Sequence, residues 1–125
     1  MPVSSEDIRS MEERINARLE EYKSSFILSF HVAVERLNDA RNRPPITIEE
    51  LESVFNRLID EHILAIVALN DGDTFNIRCL TSDINMPCGV RKQSLRGGGS
   101  SQKNIVITII RKRDFKSKDP IEFAV

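Results

Sequence analysis

The chain has no tryptophan, one tyrosine and six phenylalanines among its 125 residues. Aromatic stacking surfaces are therefore scarce. Beside the basic positions of the second half only Phe75 and Phe115 occur. Long apolar runs are also missing. The longest spans residues 63–69, where a membrane-spanning helix needs about 20 residues. The first residues, Met-Pro-Val-Ser-Ser-Glu-Asp, have no basic region and no apolar stretch, so they do not read as a secretory signal. Only two cysteines occur, Cys79 and Cys88, in no metal-type spacing. This predicts reduced thiols in a cytoplasmic protein, with no Cys/His cluster to support a zinc site. There is no P-loop, no dinucleotide fingerprint, no nucleophile elbow and no internal repeat. Arg96-Gly-Gly-Gly lacks the Lys-Ser/Thr and the strand-to-helix setting that phosphate loops require.

What remains is ordinary for a folded domain, with 40% hydrophobic and 30% charged residues. The length suits one domain over residues 1–125. The formal net charge of −1 conceals an uneven distribution. Residues 1–73 carry 8 Lys and Arg against 15 Asp and Glu, whereas residues 74–125 carry 10 against 4. A basic back half suggests an anionic partner; two halves packing with complementary fields is the alternative.

Periodicity divides the chain into elements. Ile8, Met11, Ile15 and Leu19 recur at helical spacing, with Ser4 or Ser5 as cap and Glu6 and Asp7 at the dipole-favoured start. This predicts an N-terminal helix within residues 1–23. Phe26 to Phe30 reads as a short strand, and Ala33, Leu37 and Ala40 as a modest helix stopped by Pro44-Pro45. Thr47 with Glu50 forms a capping box for a third helix that should run to about Glu61. From His62 to Leu69 the β-branched composition predicts a strand, followed by an Asp71-Gly72 hairpin turn. Residues 74–80 alternate, with Arg78 facing away from Phe75, Ile77 and Cys79. Met86 to Lys92, interrupted by Pro87 and Gly89, reads as an irregular or edge strand. Residues 94–103 read as a flexible loop, and residues 104–111 as a central strand. The expected architecture is α+β, with N-terminal helices packed on one face of a four- or five-stranded antiparallel sheet.

Few residues carry chemistry. His31 and Glu35 lie one helical turn apart, a geometry in which a carboxylate could orient an imidazole for general acid–base work; a capping or packing histidine is the alternative. His62 is the second histidine, and the helix dipole alone could account for it. Arg78, Arg91, Lys92, Arg111 and Arg113 could form a cationic surface for RNA phosphates, or simply solvated strand ends.

The stretch FILSFHVAVERLNDARNRPPITIEELESVFNRLIDEHILAI, with a strand leading to His31, the pair Glu35-Arg36, an Ile-Thr-x-Glu-Glu-Leu helix start and a second histidine, resembles the RelE/YoeB-like ribonuclease superfamily, in particular its RegB-like phage endoribonucleases. The resemblance spans about residues 1–113. It implies a RelE-like fold and a phage-borne or toxin-like endoribonuclease of the host cytoplasm. Such an enzyme is a hydrolase that needs no metal or cofactor and acts on RNA, ribosome-bound RNA included. In that reading His31 and His62 serve as base and acid for attack by the 2′-hydroxyl, Glu35 assists, and Arg36 and Arg78 stabilise the phosphorane-like transition state. The Glu-Arg pair lies one residue further from the histidine than in those enzymes, and no sheet tyrosine is present. The alternatives are a non-catalytic RNA- or protein-binding module of the same fold, and a virion or assembly protein that packs head to tail with its own copies.

Overall fold

A computed structural model describes residues 3–125, except for the side chains of Phe30, His31 and Val32. Helix α1 (Ser5–Leu19) is capped by a reciprocal pair: the Ser4 hydroxyl accepts from the Asp7 amide, and the Asp7 carboxylate accepts from the Ser4 amide. A 3-10 turn (Glu20–Tyr22) leads into strand β1 (Ser24–Leu28). Helix α2 (Phe30–Leu37) follows at once, so the apolar FILSF run is divided between strand and helix. Helix α3 (Ile48–Val67) begins at the predicted Thr47/Glu50 capping box.

The first correction concerns the end of α3, which continues to Val67 and takes up residues 62–67 of the expected strand His62–Leu69. The helical stripe explains this. Leu58, Ile59, Ile63 and Ile66 are buried at spacings of three and four, while Leu64 stands 73% exposed. The intervening β-branched residues bury one face only, so packing outweighs local β preference. Asp71-Gly72 consequently joins α3 to β2 (Thr74–Arg78) instead of closing a hairpin, and Gly72 supplies the positive φ of 86°.

The strand order is β1-β4-β3-β2-β6, with β3 (Ile84–Ser94), β4 (Ser100–Val106) and β6 (Ile121–Ala124), and a two-residue β5 (Ile110–Arg111) on the end of β3. The class is α+β as expected, but the sheet is mixed. β2–β3, β3–β4 and β3–β5 are antiparallel, while both outer pairs, β1–β4 and β2–β6, are parallel. β1 is separated from its partner by α2, α3 and two strands, so no hairpin dictates its direction. β6 returns beside β2 after a segment whose Lys112 and Phe115 carbonyls accept from Asn85 and Arg78 on the outer face.

Two further expectations are reversed. The irregular strand is β3, the longest in the sheet and its centre. Pro87 is tolerated there because its missing donor falls between the β4 ladder, which begins at Cys88, and the β5 ladder, which ends at Asn85. Residues 104–111 do not form one strand, because β4 stops at Val106 and Ile107 is 56% exposed. Part of the expected loop 94–103 is strand, leaving residues 95–99 as the hairpin tip.

The core lies between the helices and the inner sheet face. Phe26 and Phe55 meet across it with ring centroids 5.0 Å apart. Phe75, Ile77, Met86, Cys88 and Val90 close it from the central strands. No helix of the described residues is long and apolar enough to cross a membrane.

Candidate nucleic-acid interface

The two outer strands are tied down by helical side chains. On β1, Asn16 of α1 mimics a neighbouring strand: its Oδ1 accepts from the Phe26 amide at 2.8 Å and its Nδ2 donates to the Phe26 carbonyl at 2.9 Å. Glu12 accepts from the Leu28 amide at 2.8 Å. On β6, His62 Nε2 donates to the Ala124 carbonyl at 2.8 Å and its ring lies against Phe123, centroids 5.3 Å apart. Edge amides and carbonyls so occupied cannot recruit another strand.

This bears directly on the predicted histidine pair. His62 sits inside α3, not at a helix-to-strand junction, and its ring is joined to β6. His31 lies in the first turn of α2, three residues after β1, and its side chain is outside the described residues. β1 and β6 are the opposite edges of the sheet. Four strand spacings of about 4.8 Å place them roughly 19 Å apart. Glu35 is exposed and Arg36 half-buried on α2, beside the β1 edge.

The predicted RNA-binding cations divide into two groups. Arg78 on the outer face of β2 is held by Glu122 through Nε at 2.8 Å and Nη2 at 3.1 Å, and it also donates to the Phe115 carbonyl. The Arg78 hydrogen bonds hold the Glu122 carboxyl below its ordinary range, against a smaller effect of burial. Asn76 donates through Nδ2 to the same Glu122 at 3.1 Å and to Asn85 at 3.3 Å, so this face of β2 is a polar cluster in which the buried Asn76 Oδ1 is left without a partner. The Arg111 side chain is only 9% exposed. It donates to the carbonyls of Pro44 at 2.8 Å, Ser82 at 2.7 Å and Pro45 at 3.2 Å, and to both oxygens of Glu50. Burial pushes the Glu50 carboxyl up, but Arg111 and Thr47 together outweigh it and hold the group below its ordinary value. These two arginines bind the protein to itself.

The second group projects outward. Arg91 and Lys103 are cross-strand partners on the outer face of the β3–β4 hairpin, and both are exposed. Arg96 and Gly97–Gly99 form the exposed tip, closed by hydrogen bonds from Leu95 to Gly99 at 3.0 Å and from Gly98 to Leu95 at 3.2 Å. Lys92 is half-buried, its Nζ donating to the Val67 carbonyl at the end of α3. Lys23, with a left-handed φ of 53°, is fixed by the Gln102 amide on its carbonyl at 2.9 Å, and its ammonium lies beside Gly99. Arg113 is exposed on the segment after β5. Among the described residues, Lys23, Arg91, Arg96, Lys103 and Arg113 form no ion pair. Lys23, Arg96 and Lys103 are additions to the expected set. A signal for the last two was present: residues 84–113 contain seven cations and no Asp or Glu.

The described residues hold no group of three metal-ligating side chains. Comparison with protein-family models, with curated proteins and with solved structures finds no match to this chain.

Proposed function

We propose that the protein is an RNA-binding module that grips the phosphate backbone with the β3–β4 hairpin. The observation that carries this reading is the group of exposed cations Arg91, Arg96 and Lys103, joined by Lys23, on a protruding ribbon without a single acidic residue. Exposed guanidinium and ammonium groups with no carboxylate partner are free to neutralise phosphates and displace the counterions condensed on a polyanion.

Binding is favoured over cleavage. The two-histidine mechanism needs base and acid at one phosphate. The segment carrying His31 follows one edge strand, whereas the His62 ring is hydrogen-bonded to the other.

The test is fluorescence polarisation of a labelled RNA at several salt concentrations. Affinity should fall steeply with salt, and Arg91→Ala, Arg96→Ala and Lys103→Ala should each lower the salt slope by about 1. Affinity insensitive to salt, or unchanged in the triple variant, would overturn the proposal. Metal-independent cleavage of the RNA in EDTA, abolished by His31→Ala, would establish the enzyme in its place.

A further inference from the structure

We infer that the hairpin recognises base-paired RNA in preference to single strands, an inference that rests on the binding reading above. Surfaces that hold unpaired bases supply aromatic rings for them to stack on. No Phe, Tyr or Trp occurs between Phe75 and Phe115. Phe75 is fully buried on the inner face, and Phe115 lies half-buried in the segment that covers β2. The hairpin itself carries no ring, and Tyr22, next to Lys23, is half-buried against the core. A duplex keeps its bases stacked on each other and asks only for contacts to phosphates and riboses.

The hairpin offers such contacts. Arg91 and Lys103 face the same side as a cross-strand pair. Arg96 lies five residues further on, at the hairpin tip, at most roughly 16 Å away at strand rise. The cations are thus spread along the ribbon, as two phosphate ridges require. Between them Gln93 and its cross-strand partner Ser101 lie on the same face of the ribbon, with groups that both donate and accept, as the 2′-hydroxyl does. At the tip, Gly97 and Gly98 adopt φ of 88° and 105°, yet an added Cβ at either would meet nothing of the protein within 4 Å. The backbone there is bare on its outer side and can approach a sugar surface closely. The wide, shallow minor groove of A-form RNA presents 2′-hydroxyls flanked by phosphates and fits this ribbon.

The full-length chain is titrated with a 16-base-pair RNA duplex, with one of its strands alone, and with the DNA duplex of the same sequence, at one salt concentration. The RNA duplex should bind at least about tenfold tighter than the single strand. It should also bind tighter than the DNA duplex, and the double change Gln93→Ala, Ser101→Ala should narrow that second difference. Equal or tighter binding of the single strand overturns the inference while leaving RNA binding intact. Equal binding of the DNA duplex overturns the minor-groove part. Failure to bind any of the three overturns the reading on which the inference rests.

Discussion

At the residue scale, long-range geometry decides what each polar group does. Cys79 and Cys88 are both free and buried, yet their thiols are displaced in opposite directions. Burial, with a smaller contribution from the negative charge of Asp119, drives the Cys88 thiol up. Burial also opposes ionisation of Cys79, but hydroxyl and amide groups of Ser82 and Thr81 overcome it and bring that thiol down to about 7. Arg57 donates to the same sulfur at 3.2 Å. A thiol whose folded value lies below its unfolded value of 9.0 adds stability above that value and loses it as pH falls through about 7. The melting temperature of the parent should therefore rise relative to Cys79→Ser between pH 7 and pH 9, at roughly 4 °C per kcal/mol. A constant difference across that window would contradict the assignment. Arg111 gives a second expectation. Arg111→Met removes five hydrogen bonds to Glu50 and three carbonyls, and should cost about 2–3 kcal/mol in denaturant unfolding. The variant should bind RNA within about twofold of the parent, because a 9%-exposed guanidinium already has its partners.

At the element scale, helical side chains finish a sheet that would otherwise end in open strands. Asn16→Leu deprives Phe26 of both backbone partners and should cost about 1–2 kcal/mol. Light scattering at rising concentration should then show association through β1, since an uncovered edge is a template for pairing. His62→Phe retains a ring against Phe123 but loses the bond to Ala124. It should cost about 1 kcal/mol and leave RNA affinity unchanged. A loss of any RNA-cleaving activity by more than about tenfold in this variant, with the fold intact, would show that His62 does more than cap a strand.

At the scale of the whole molecule, the charge asymmetry resolves into two kinds of basic residue. Arg78 and Arg111 pair with Glu122 and Glu50, partners 44 and 61 residues away in the chain. Arg91, Arg96 and Lys103 stay outside the packed body. Binding should therefore be separable from folding. Replacing residues 95–99 by Asn-Gly keeps the two strands in a short hairpin but removes Arg96 and the glycine tip. The melting temperature should move by only a few degrees, and RNA affinity should drop about tenfold or more. A collapse in stability would show instead that the tip belongs to the core.

How much of this was legible beforehand follows from the range of each interaction. The starts of α1 and α3, the apolar stripes, the facing of Phe75, Ile77 and Cys79 away from Arg78, and the free thiols could all be read from the chain. Capping boxes and periodicities act over three or four residues, and the local pattern contains them. Four features required the assembled fold: the helical state of residues 62–67, the parallel outer strands, the polar clamp of Asn16 and Glu12 on β1, and which arginines face water. Each depends on what lies opposite. The same β-branched run suits a strand or a helix until a sheet covers one side of it. A guanidinium is a ligand for RNA or a brace for the protein according to whether a distant carboxylate reaches it first.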